Sequence, residues 1–198
     1  MNTQVKEVVL IVLTDGFADW EASYVSAEIN KPDSKYIIKT VAIDKEPKVS
    51  MGGLQVLPHY SLNEFASITS VAMLIIPGGT GWRERQNQQL SGLVKNCFQN
   101  KIPIAAICDA TTFLGNNGFL DNHKHTGNTL PYLKQGAPHY RGEAYYVNAQ
   151  SVSDSFLITA NGSAAIEFSK HILEKLGILE GEQLEQWYDI YKKGYLPA

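Results

Sequence analysis

Cys108 carries the strongest chemical signal in this sequence. The apolar, strand-like run from Ile104 stops at Cys108 and gives way to small and polar residues that read as the start of a helix. Such a strand–turn–helix is a nucleophile elbow, which lifts a side chain above a sheet and beside backbone N–H groups. Near a helix N-terminus the partial positive charge is expected to lower a thiol's pKa. A cysteine can equally serve as a small buried hydrophobe. Cys97, in a polar helix before the elbow, reads that way.

Two other segments could complete the chemistry: DGFADWE from Asp15 to Glu21 and IIPGGTG from Ile75 to Gly81. A cysteine nucleophile needs a thiolate, a group that manages protons, and donors for the oxyanion formed on attack. The backbone N–H groups of Gly79 and Asp109 are the expected donors, with glycine allowing a carbonyl to approach the chain closely. Glu21 is pulled both ways. A helix start favours its ionisation, while desolvation and a neighbouring thiolate favour the acid. As the acid it could donate a hydrogen bond to sulfur and shuttle a proton; the plainer role is a capping carboxylate on a solvated helix end. Asp109, if turned inward, would raise the thiol's pKa.

The elements that must hold these residues alternate in type. Val8–Leu13, Tyr36–Ile43, Val71–Ile76 and Ile102–Cys108 read as strands, the buried ones continuously apolar. Helices are expected from about Asp19 (as N-cap) to Asn30, from Arg83 to Asn100, from Ser163 to Leu176 with Gly177 as its cap, and from Glu182 to Lys193. Lys48–His59 reads as a hairpin at the sheet edge, and Lys124–Thr126 as a short strand. Tyr145–Val152 and Phe156–Thr159 read as a pair turning at Ser153-Asp154. This order predicts one α/β domain over residues 1–198, a three-layer doubly wound sandwich with a mainly parallel sheet of flavodoxin-like type. In such folds the site lies at the carboxyl ends of the strands. Asp15-Gly16, Gly78-Gly79 and Cys108 all fall there.

With 198 residues, 44% hydrophobic and 19% charged, the composition is that of an ordinary globular protein. A net charge of −3 gives no reason to expect nucleic acid or an anionic membrane as partner. Two cysteines without metal-ligand spacing argue for a reducing compartment, so a cytoplasmic protein is expected, with neither metal nor cofactor. The apolar run Val8–Leu13 is too short to span a bilayer.

Taken together, the glutamate of the first helix, the PGG after a strand and the AIC elbow resemble the ThiJ/PfpI superfamily. That superfamily is related to class I glutamine amidotransferases and includes the Parkinsonism-associated protein deglycase. The resemblance runs from the first strand to LITANGSAA, Leu157 to Ala165. It implies Cys108 as the reactive cysteine, Glu21 as the glutamate contacting it, Gly79 and Asp109 as the oxyanion hole, and a homodimer with the sites near its interface. It also sets Asn161-Gly162 at the rim, where N–H groups of a helix end could bind an anion; Gly78 and Asn128 join them as substrate-binding residues.

Departures narrow the reading. PfpI-like members carry histidine directly after the cysteine, where this chain has Asp109. The deglycase branch places its histidine after the strand that follows the elbow helix. In DNHKHTGN from Asp121 that position falls on Asn128. His125 lies three residues earlier, on the opposite face of a strand, and is the candidate base, with His123 behind it; a solvated basic strand is the plainer account of both. The leading expectation is a cysteine hydrolase or glyoxalase-like lyase acting on a small carbonyl or amide, glyoxalase/deglycase-like or peptidase-like. The alternative is a non-catalytic oxidative-stress sensor or chaperone-like protein that uses Cys108 oxidation.

Overall fold

Side-chain alternation along the first strand sets up the whole architecture. In the computed structural model, which describes residues 6–67 and 70–195, β1 (Glu7–Val12) is the third of seven strands. Val9, Ile11 and Leu13 enter one core, while Leu10 and Val12 enter a second on the opposite face. Both faces of the strand are therefore apolar, as a buried parallel strand requires.

The other strands are β2 (Tyr36–Ala42), β3 (Lys48–Val49), β4 (Gln55–Val56), β5 (Tyr60–Ser61), β6 (Val71–Ile76), β7 (Ile104–Ile107), β8 (Ser151–Asp154) and β9 (Leu157–Ala160). The main sheet runs β5-β2-β1-β6-β7-β9-β8, parallel throughout except for β8 against β9. The first core takes side chains from α1 (Ser23–Ile29), α5 (Ala165–Lys175) and α6 (Gly181–Lys193). The second takes them from α2 (Ser91–Gln99), α3 (Ala110–Asn116) and α4 (Leu130–Gly136). Helices thus cover both faces of a mainly parallel sheet, giving the expected three layers.

Several local expectations give way to tertiary hydrogen bonds. Helix α1 begins at Ser23, and Asp19 does not cap it: its Oδ1 accepts from the Gly52 N–H at 3.2 Å. The hairpin β3–β4 pairs only with itself, and β5 takes the sheet edge. The long polar helix expected from Arg83 is broken into two 3₁₀ stretches, Thr80–Arg83 and Arg85–Leu90, before α2. The first stretch is tied down by Trp82 Nε1 donating to the Pro77 carbonyl at 2.8 Å and Asn87 Nδ2 donating to the Gly81 carbonyl at 2.8 Å.

On the C-terminal side, Lys124–Thr126 makes one bridge, His125 to Tyr146, and no longer strand. Strand pairing of β8 starts only at Ser151, and its turn lies at Ser155, where φ is 51°, so Ser153 and Asp154 are still in the ladder. Helix α4 was not expected, although its signal is in the sequence. Thr129 caps it, accepting from the Tyr132 N–H at 3.2 Å, and a proline sits in the first turn.

Candidate active site

The carboxyl ends of β1, β6 and β7 bring the three motif segments together. A single antiparallel bridge joins Phe17 to Gly79. It consists of the Ala18 N–H donating to the Gly78 carbonyl at 3.0 Å and the Thr80 N–H donating to the Gly16 carbonyl at 3.1 Å. This tie anchors the loop that carries Glu21 to the PGG turn.

Cys108 has φ 60°, in the left-handed region that a β-carbon disfavours. Such strain persists only where the surroundings over-determine it. Here the Cys108 N–H donates to the Ala160 carbonyl at 3.0 Å, holding the elbow on β9. The sulfur is half-buried. Asn128 Nδ2 donates to it at 3.6 Å, while Asn128 Oδ1 accepts from the Gly162 N–H at 2.8 Å.

Glu21 is 0% exposed. Its Oε2 accepts from the Gly78 N–H at 2.6 Å, and its Oε1 is buried with no hydrogen-bond partner. Burial pushes the carboxyl up to about 7, against the opposing pull of the Gly78 bond. The thiol is pushed up to about 11, first by burial and then by the Glu21 charge, with the Asn128 and Asp109 donors pulling the other way. The thiol lowering expected from a helix start is outweighed: α3 spans only seven residues, and desolvation dominates. A neutral thiol beside a carboxyl that titrates near neutrality is a pair poised to pass a proton.

Gly78 and Gly79 have different duties. A β-carbon on Gly78 would lie 2.5 Å from Cys108 Cβ and 3.0 Å from Glu21 Oε2, so only glycine lets acid and thiol close around it. Its N–H is already taken by Glu21, which leaves Gly78 to position the acid rather than the substrate. Gly79 adopts φ 132°, and among the described residues no acceptor takes its N–H. It borders, with Cys108 and Asp109, a cleft of ≈ 380 Å³. Trp20, Glu21, Met51, Arg83 and Tyr132 are among its other walls.

Residues 7–175 match the DJ-1/PfpI family. The chain belongs to the DJ-1/PfpI family. A Bacillus subtilis (strain 168) protein named Uncharacterized protease YoaZ is 37% identical over 195 residues, 96% of this chain and 92% of the relative. The solved thiJ/pfpI family protein from Bacillus anthracis shares 36% identity with a TM-score of 0.86, over 98% of this chain and 94% of that one. The DJ-1 superfamily protein Atu0886 from Agrobacterium tumefaciens shares 35% identity with a TM-score of 0.85, over 94% of this chain and 98% of that one.

In this DJ-1/PfpI chain the structure does not bring His125 to the thiol. Its ring is 0% exposed, with Nδ1 2.6 Å from the His123 carbonyl and Nε2 2.7 Å from the Tyr140 hydroxyl. Burial lowers its pKa. Asn128, three residues on, is the side chain of that segment that reaches sulfur. Asn161 also faces elsewhere: Oδ1 accepts from the Ser163 N–H at 3.0 Å and Nδ2 donates to Gln150 at 2.9 Å. Gly162 does abut the thiol, since a β-carbon there would lie 2.7 Å from the sulfur. Tyr132 was missed because α4 was missed; the cap-and-proline signal at Thr129-Leu130-Pro131 would have located it. Among the described residues, no group of three or more His, Cys, Asp or Glu is placed to hold a metal ion, and no helix is long and apolar enough to cross a membrane.

Proposed function

We propose that this DJ-1/PfpI protein is a cysteine-dependent hydrolase or lyase acting on a small carbonyl or amide electrophile, with Cys108 as nucleophile. The observation that carries the reading is the fully buried Glu21, pushed up to about 7 beside the thiol. A base buried next to a thiol that is neutral at physiological pH can take its proton as the sulfur attacks.

The sulfur forms a bond to the carbonyl carbon, the thiol proton passes to the Glu21 carboxylate, and the carbonyl electrons move onto oxygen. The Gly79 and Asp109 N–H groups receive that oxyanion. With an aldehyde the oxyanion takes the proton back from Glu21 and the product is a hemithioacetal. With an amide, the intermediate collapses, the C–N bond breaks, nitrogen leaves with the proton from Glu21, and water then hydrolyses the Cys108 thioester to the acid and the free thiol. A ≈ 380 Å³ cleft with no histidine at the sulfur supports a small substrate over a long peptide. The Bacillus subtilis relative is named an uncharacterized protease, and proteolysis belongs to the same broad class of reaction.

The same reading includes a cytoplasmic homodimer. Exposed Trp20 and Met51 line the cleft, and exposed Leu54 and Leu57 flank β4 of the β3–β4 hairpin; a second copy would cover these apolar side chains. Light scattering of the purified protein, with Leu54→Asp as the disrupting variant, is expected to show a dimer that becomes a monomer; a monomeric wild type refutes it.

The activity is tested by turnover of small dicarbonyls and small amides by wild type and Cys108→Ala. The variant is expected to lose about 10³-fold or more in kcat/KM. Unchanged turnover in that variant overturns the reading.

A further inference from the structure

A carboxylate directly follows the nucleophile, and the fold disarms it. Asp109 is 6% exposed, yet its side chain makes no capping bond to α3. Helix capping therefore does not account for it. Its Oδ1 accepts from the Tyr132 hydroxyl at 2.9 Å and from Thr112 Oγ1 at 3.2 Å. Arg83 Nε lies 3.5 Å from its Oδ2, and Arg83 Nη2 donates to the Tyr132 hydroxyl at 2.9 Å. The guanidinium carbon also stands 5.6 Å from the Tyr132 ring centroid. Three elements distant in sequence thus close a ring of contacts around one carboxylate: the 3₁₀ stretch after Gly79, the elbow, and α4.

We propose that Arg83 and Tyr132 are positioning residues that hold the Asp109 carboxylate off Cys108 and offset its charge, so that the Cys108–Glu21 pair can exchange its proton. This rests on the reading of Cys108 as nucleophile. An unopposed negative charge beside the thiol would disfavour both thiolate formation and ionisation of Glu21; the Asp109 charge does act on Glu21 in that direction. The titratable groups around the thiol are few. Glu21 comes from the loop before α1, Asp109 from the elbow, Arg83 from the turn after β6, and Tyr132 from α4. From the other side Asn128 and Gly162 meet the sulfur, and both are neutral. Among the described residues Arg83 is the one cation lining this cleft; its side chain is 61% exposed and it faces Asp109. Stability alone gives little reason for such an arrangement, because ion pairs of exposed side chains contribute little and buried ones seldom outperform apolar packing.

The test is the rate of iodoacetamide alkylation against pH, read by mass spectrometry on the Cys108 peptide, so that Cys97 does not interfere. Arg83→Met is expected to move the midpoint up by about one pH unit, the effect of one uncompensated charge nearby. Tyr132→Phe should move it in the same direction by less. Asp109→Asn should lower it, because the Arg83 cation is then unopposed, and Arg83→Met combined with Asp109→Asn should return toward the wild-type value, because neither charge remains. Arg83→Lys, which keeps the cation, should recover part of the shift. A purely structural role would lower the melting temperature of Arg83→Met without moving the midpoint, and would not be rescued by removing Asp109. Either an unmoved midpoint or a failed rescue overturns the proposal. The readout needs no substrate, so it stays separate from loss or retention of turnover in Cys108→Ala.

Discussion

Gly78 donates its backbone N–H to Glu21 Oε2 at 2.6 Å, while its missing side chain leaves the space that Cys108 Cβ needs. One residue therefore both orients the acid and admits the nucleophile. Gly78→Ala would place a methyl 2.5 Å from Cys108 Cβ, a distance that no packing tolerates. The expected result is a stability loss of about 1–3 kcal/mol from overpacking, with a fall in kcat/KM of about 100-fold from displaced reacting groups. Thermal melts and steady-state kinetics check both; a variant with wild-type kcat/KM would refute the assigned duty.

Glu21 links activity and stability to pH with opposite signs. Acting as base it must be ionised, so kcat/KM should rise with pH through about 7, and Glu21→Gln should remove that limb. Stability runs the other way. The folded carboxyl is raised from 4.5 to about 7, so between those values the folded protein holds a proton that the unfolded chain has released. The stabilisation is complete below pH 4.5 and is lost as pH rises through about 7, by about 3 kcal/mol at most for a shift of this size. Denaturant melts at pH 5 and pH 8 should show this difference in wild type and a smaller one in Glu21→Gln.

Asn128 offers sulfur one donor at 3.6 Å and cannot change its charge. Asn128→Ala should slow alkylation of Cys108, by removing a contact that favours the thiolate and the brace to the Gly162 N–H at 2.8 Å. Asn128→His would restore the histidine that the resemblance to the deglycase branch places here, and should lower the alkylation midpoint as the imidazole takes the thiol proton. Alkylation profiles of the two variants decide the matter; identical profiles would remove Asn128 from the site.

His125 tests the difference between a structural and a catalytic histidine. Both ring nitrogens are occupied in a fully buried setting, one by the His123 carbonyl and one by the Tyr140 hydroxyl. His125→Phe should cost about 1 kcal/mol by leaving the half-buried Tyr140 hydroxyl without its partner. Its kcat/KM, measured well below the melting temperature, should stay within about threefold of wild type. A hundredfold loss in a folded variant would return His125 to the catalytic set.

Much of this protein follows from local pattern. Continuous apolar runs bounded by Asp15-Gly16 and Pro77-Gly78-Gly79 determine β1 and β6, because a strand buried on both faces must be apolar at every position. The abrupt change at Cys108 determines the elbow, and the alternation of strands with helices determines the layered sheet. What local pattern does not carry is set by groups far apart in the chain. Asp19 serves a hairpin residue 33 positions away instead of capping its own helix. Asp109 turns to Tyr132 and Arg83, a direction no reading of the elbow alone contains. Asn128 reaches sulfur while His125 is sealed between the His123 carbonyl and the Tyr140 hydroxyl, partners that packing and not local pattern supplies. The acidity of the pair was also decided by the assembled fold: desolvation depends on everything packed around Glu21 and Cys108, and it outweighs the nearby helix start that sequence alone displays.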